Sequence, residues 1–255
     1  MNRLDGKTAL LIGEDPVTLA IAARYAAEGA AVTLIGNGLP AGADATPGVV
    51  AIAIGADSVD ADRETIRQAA GRSLDILLLG GADIPAEQDW IPVSKLSVDQ
   101  LRIAGDRLVI RALTALQASE AALRAAGNAS VIFVHSPAGI FSEGGWSDYT
   151  ICYHARTGLM RAVAAEWGPV RANLLVPFAN TPGFRAFRER NPAEVDHRTS
   201  VTAMKRPGDL VKDIGGAAVF LGSSDSQYVT GMTVPADGGA SLTIPIVETQ
   251  MERAG

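Results

Sequence analysis

The sequence predicts a doubly wound α/β fold: one domain with a seven-stranded parallel sheet covered by helices on both faces. Three observations carry this. Short apolar runs alternate with longer segments of helical period, the pattern of successive βαβ units. The runs are rich in Val, Ile and Leu with little polar alternation, as strands buried on both faces require. The 255 residues are 47% hydrophobic and 20% charged, enough apolar material to close one large core, and no repeat, low-complexity tract or linker divides them.

The expected strands are Thr8–Ile12, Ala31–Ile35, Val49–Ile54, Ile76–Leu79, Ser130–His135, Ala172–Val176 and Met232–Pro235. Helical patterns lie between them at about Val17–Glu28, Ala61–Ala70, Val98–Ala125, Tyr149–Trp167 and Asp209–Leu221. Asp15 reads as an N-cap and Pro16 as the first residue of the first helix. The segment Phe178–Arg206, charged and punctuated by Pro182, Gly183 and Pro192, is too long for an ordinary connector. In such a fold it would lie over the carboxyl ends of the strands, where ligands bind.

A balance of 22 Lys+Arg against 28 Asp+Glu gives a net charge of −6, which disfavours nucleic acid and anionic membranes as partners. The single cysteine, Cys152, excludes an intramolecular disulfide, and His135, His154 and His197 are too scattered for a metal site. Thr8–Ile12 is too short for a signal peptide and no run approaches a membrane span, so a cytoplasmic protein is expected.

Two stretches go further. Tyr149 to Pro177, YTICYHARTGLMRAVAAEWGPVRANLLVP, and Val229 to Ser241, VTGMTVPADGGAS, resemble the active-site helix with its following strand, and the last strand with its turn, of the short-chain dehydrogenase/reductase family. The resemblance runs from Lys7 to about Leu242 and implies a Rossmann-like domain over 1–242 with a C-terminal extension at 243–255. It also implies chemistry. In this family a Ser orients the substrate oxygen, a Tyr thirteen residues later is the general acid/base, and a Lys four residues beyond supplies the charge the Tyr needs. Ser136 and Tyr149 match in type and spacing, and the Lys position is Tyr153.

That replacement has a definable cost. A free tyrosine titrates near ~10, and a cation at ~4 Å in an effective dielectric of ~20 is worth ~4 kcal/mol, roughly three pKa units. The four lysines, Lys7, Lys95, Lys205 and Lys212, all lie off this helix. Arg156, seven residues past Tyr149 and about 10.5 Å along the axis, is the nearest cation and reads as a solvated or interface arginine. The family's relay Asn corresponds to Arg107, expected to crowd the relay. His135 is expected to point away from Ser136, and Cys152 to fill core or interface.

The dinucleotide half departs as well. The family's TGxxxGxG turn brings backbone close to a diphosphate at a helix N-terminus. Here it reads Ile12-Gly13-Glu14-Asp15-Pro16-Val17-Thr18-Leu19, keeping only the first glycine and adding two negative charges. Gly36-Asn37-Gly38 replaces the residue that reads the ribose, Leu79-Gly80-Gly81-Ala82 replaces NNAG, and Phe178 stands where a Gly borders the nicotinamide. Gly13 and Asp57 remain as cofactor-binding positions.

These losses imply no bound cofactor and a catalytically silent subunit. Its expected partner is an active alcohol or hydroxyacyl-CoA dehydrogenase paralogue, in a heterotetramer. The helices that pair between subunits in this family keep Leu101, Leu108, Val109, Ala112, Leu113 and Leu116 on one, and Leu159, Met160, Val163, Ala164 and Trp167 on the other, and Thr243–Val247 adds apolar surface. Two alternatives stand beside it: a cofactor-independent lyase or dehalogenase-like enzyme using Ser136 and Tyr149, and an NAD(P)-dependent alcohol dehydrogenase with an altered site.

Overall fold

A computed structural model describes residues 2–40, 43, 46–54, 59–81, 91–141, 145–193, 199–200 and 202–242. Seven parallel strands form one sheet in the order β3-β2-β1-β4-β5-β6-β7: β1 Thr8–Ile12, β2 Ala31–Gly36, β3 Val49–Ala53, β4 Ile76–Leu79, β5 Ser130–Val134, β6 Arg171–Pro177 and β7 Thr233–Ala236. Each expected strand is present, with boundaries moved by one residue where they move at all. The predicted doubly wound Rossmann-like fold is the observed one.

The side-chain alternation of the strands builds two cores. Leu10, Ile12, Leu77, Leu79, Val131 and Phe133 pack on one face, beneath the helices Val59–Ala70 (α2), Arg111–Ala125 and Ser147–Glu166. Ala9, Leu11, Leu34, Leu78, Ile132 and Val134 pack on the other, beneath the helices Pro16–Ala27 (α1) and Gly215–Gly222. Helix α1, Pro16–Ala27, starts as its sequence dictates: the Asp15 carboxylate accepts from the Val17 and Thr18 amides and Pro16 occupies the first turn.

The expected long helix Val98–Ala125 is three pieces in one rod. An α-helix, Val98–Gly105 (α3), opens on a capping box between Ser97 and Gln100. One wide π-type turn, Asp106–Ile110, follows and runs into α4, Arg111–Ala125. The short α5, Ala138–Phe141, follows β5, and α6 spans Ser147–Glu166. In the long charged segment, Thr181 caps a helix that the sequence reading had left unassigned, Pro182–Arg190 (α7). The last helix, α8 (Gly215–Gly222), is again entered through a π-type turn, Leu210–Ile214.

Strands β1, β2 and β3 run outward on one side, and β4 returns beside β1 to begin the other half. The crevice at the carboxyl ends of β1 and β4 is therefore the switch point at which such sheets take ligands. Among the described residues no helix is long and apolar enough to cross a membrane, and no cluster of His, Cys, Asp and Glu could hold a metal ion.

Candidate active site

A cleft of about 260 Å³ lies at the switch point, lined by Gly13, Glu14 and Asp15 after β1, Gly80 and Gly81 after β4, and Arg107, Leu108, Arg111 and Arg156 from the helices. Ser136 and Tyr149 are both buried, 3% and 0% exposed, and Tyr149 is linked to the cleft through Arg107, which lines it. The predicted pair thus stands at one end of the sheet, Ser136 after β5 and Tyr149 in the first turns of α6. Asp57, also predicted, falls outside the described residues.

Arg107, expected to crowd the relay, lies against Tyr149. The π-type turn carries it, and its Nη2 donates to the Tyr149 hydroxyl at 2.8 Å. Such turns add a residue to the helical ladder and recur at functional sites. A guanidinium donating to a phenol oxygen makes a charge-assisted hydrogen bond. A guanidinium thus meets the Tyr149 hydroxyl from a helix other than the one that carries Tyr153. Tyr153 itself is 8% exposed and sets its ring at 5.5 Å and 81° to His135 and at 5.1 Å and 85° to His154. It lies against Gly139, where a Cβ would collide with the Tyr153 Cβ and Cγ. Gly139→Ala is expected to lower stability by about 2 kcal/mol through overpacking, read from the urea midpoint.

Arg156 corrects a second expectation. It is 1% exposed, not a solvated or interface arginine, and it does not reach Tyr149. Its Nη1 donates to the Leu108 carbonyl at 2.7 Å, and its Nη2 to the carbonyls of Leu79 at 2.6 Å and Val134 at 3.3 Å. It ties the carboxyl ends of β4 and β5 to the π-type turn, with its guanidinium carbon 5.5 Å from the Phe133 ring. Burial lowers its pKa to about 10, so it remains a cation at neutral pH.

His135 is wholly buried, its Nδ1 3.2 Å from the Ser136 carbonyl and its ring 6.3 Å from that of Tyr149. Nδ1 beside a carbonyl makes it the protonated nitrogen, and Nε2 has no partner. Burial, helped by the charge of Arg156, pulls the imidazole down to about 3. The sign follows: above pH ~6.5 both folded and unfolded states hold it neutral, whereas below that value only the unfolded chain takes up the proton. Stability is expected to fall from pH 6.5 toward 3 by roughly 4 kcal/mol on this account. Urea titrations of the wild type and His135→Gln across that range should converge in slope only above pH 6.5. Cys152 is 1% exposed, and burial with the Asp148 carboxylate pushes its thiol up to about 11, so it is core packing as expected.

On the cofactor side Gly13, with φ +150°, abuts the chain's own residues: a Cβ there would meet Thr18 Oγ1 at 3.1 Å and Asp15 Oδ2 at 3.2 Å. Asp15 accepts from the Val17 and Thr18 amides, the Thr18 hydroxyl and the Gly81 amide. Glu14 pairs with Arg111 Nη1 at 3.1 Å. Phe178 is 9% exposed and packs its ring edge-on against Phe184 at 5.2 Å.

The family model described as enoyl-(acyl carrier protein) reductase matches residues 14–241, which hold six of the seven strands and every site residue named above except Gly13. The chain belongs to the short-chain dehydrogenase/reductase family. Among short-chain dehydrogenase relatives, the galactitol 2-dehydrogenase (L-tagatose-forming) of Cereibacter sphaeroides is 32% identical over 94% of this chain and 97% of its own length. The 12alpha-hydroxysteroid dehydrogenase of a Clostridium species is 27% identical over 94% and 98%. A solved structure from Beutenbergia cavernae, assigned as an NAD(P) dependent gluconate 5-dehydrogenase and carrying NADP at low occupancy, superposes with a TM-score of 0.82 at 26% identity, over 95% of this chain and 99% of that one.

These relatives overturn the expectation of no cofactor. Dehydrogenases of this family use NAD(P), and one of similar sequence and fold has NADP bound.

Proposed function

We propose that the chain is an NAD(P)-linked oxidoreductase acting on a secondary alcohol or its ketone, with Tyr149 as acid/base and Arg107 in the role of the missing lysine. The observation that carries this is the 2.8 Å hydrogen bond from Arg107 Nη2 to the Tyr149 hydroxyl. The hydroxy-compound dehydrogenases among its relatives support the substrate class.

The fit to the dinucleotide rests on an orphaned donor. The N-terminus of α1 is filled by Asp15, but Arg111 Nη2 is buried in the structure without a partner, and Arg111 lines the cleft. With Arg107 and Arg156 it leaves the lining net positive against Glu14 and Asp15. Gly13, Gly80, Gly81 and Arg111 would hold the cofactor. When bound, the nicotinamide supplies the hydride acceptor or donor. The chain's own residues do the rest: Ser136 orients the substrate oxygen by donating to it, Tyr149 takes the proton from that oxygen or returns it, and Arg107 stabilises the phenolate between those events. Burial of the pair keeps water from competing for the proton.

A second reading, the silent subunit of a heteromeric dehydrogenase, is favoured by one observation: Asp15 consumes the donors a diphosphate would need at α1. In that reading the partner meets the exposed apolar side chains of the paired helices. These would be Val98, Ile103, Ile110, Leu113 and Ile151, which are exposed, whereas Leu108, Ala112, Leu116, Met160 and Val163 are buried within the protomer.

Calorimetric titration with NADH and NADPH, followed by turnover on a panel of cyclic secondary alcohols and polyols, separates the two. Micromolar binding with turnover is the expected result. Binding of neither nucleotide at millimolar concentration, with a dehydrogenase co-purifying from cell extract, would replace the first reading by the second.

A further inference from the structure

Five backbone amides at the switch point are already engaged. Gly13 N–H donates to Ile35 O at 2.8 Å and Gly80 N–H to Ile12 O at 2.7 Å, while Val17, Thr18 and Gly81 donate to Asp15. An anion at the start of α1 would have to displace a carboxylate that is held by three amides and a hydroxyl. The opposite wall is different. Arg111, on the first turn of α4, gives Nη1 to Glu14 and keeps Nη2 buried with no acceptor. A buried guanidinium nitrogen without a partner is costly, and a phosphate oxygen in the cleft would remove that cost.

We infer that Arg111, from the α4 wall of the cleft, grips the phosphate groups of the bound nucleotide, in place of the N-terminus of α1. This rests on the NAD(P) reading and specifies which residue of the site recognises the ligand. The ligand class is a phosphate ester or diphosphate, and Glu14 is an internal competitor that holds half of the guanidinium fork until the anion arrives. Asp15 is then the reason the site moved: with the helix end capped from within, the α4 wall offers Arg111 Nη2, a buried side-chain donor without a partner on a residue that lines the cleft, as Arg156 Nε is on the α6 wall.

The test is binding, not turnover. Wild type, Arg111→Met and Glu14→Gln are titrated calorimetrically with NADPH, ADP and inorganic pyrophosphate at two salt concentrations, with circular dichroism confirming the fold. Arg111→Met is expected to weaken all three ligands about 10- to 100-fold, the loss of one charge-assisted bidentate contact, and to reduce the salt dependence. Glu14→Gln, which frees Nη1, is expected to tighten them several-fold. NADPH binding unchanged by both substitutions would overturn the inference and leave the NAD(P) reading intact. Pyrophosphate binding that depends on Arg111, without NADPH binding, would keep the anion site and remove that reading. Binding of none of the three to the wild type would end both. If Arg111→Met does not fold, Glu14→Gln decides: tighter binding supports the inference and unchanged binding refutes it.

Discussion

Replacing Arg107 with methionine is expected to lower kcat/KM about 1000-fold near neutral pH and to move the activity profile to higher pH. Arg107 puts a positive charge 2.8 Å from the oxygen that must lose a proton, and no lysine lies on the helix that carries Tyr149. At a separation of ~4 Å and an effective dielectric of ~20 such a charge is worth ~4 kcal/mol, close to three powers of ten. The direction follows from the chemistry: without the cation the phenolate forms at higher pH, so the lost rate should return partly as the pH rises. Arg107→Lys keeps the charge but not the fork and should retain part of the activity, with little change in profile. The measurement is kcat and kcat/KM against pH for the three proteins. A methionine variant within a few-fold of wild type at neutral pH would mean that Tyr149 draws its activation from elsewhere.

Arg156→Met is expected to cost about 3 kcal/mol of stability, which for a domain of this size is a fall in Tm of roughly 6–12 °C. The guanidinium is fully buried and satisfies the carbonyls of Leu79, Leu108 and Val134. Methionine fills similar volume and leaves all three acceptors without that donor, each at ~1–3 kcal/mol, offset by the desolvation a buried cation no longer suffers. Arg156→Lys should recover little, because one ammonium cannot span carbonyls from two strands and the π-type turn. Thermal denaturation followed by circular dichroism measures both. If the methionine variant is as stable as wild type, the buried charge is a liability that the fold carries for the sake of the site.

The strands were legible because each is a run of β-branched and aliphatic residues buried on both faces, a signal that needs no partner to be recognised. The start of α1 was legible for a related reason: Asp15 bonds to amides two and three residues away, inside one reading window. Ser136 and Tyr149 could be found from type and spacing. Arg107 was visible as a residue but read as an obstruction, since its partner is 42 residues distant and the π-type turn that carries it leaves no pattern a propensity could register. Arg156 was misread as solvated for the same reason, its acceptors lying 22, 48 and 77 residues away. Glu14, read as a charge that repels phosphate, is paired with Arg111 across 97 residues. Each concerned long-range electrostatics, and only the pairing of Glu14 bears on the cofactor side.

The sequence by itself determined the family, the seven strands and their order of appearance, the capped entry to α1 and the two hydroxyl side chains of the site. Those features depend on burial pattern and on bonds within a few residues. Tertiary structure alone decided where the cations went: Arg107 onto Tyr149, Arg156 onto the strand ends, and Arg111 into the cleft with one donor unspent. Their meaning lies in which distant oxygen each guanidinium meets, and that is fixed only when the two halves of the sheet close around the switch point.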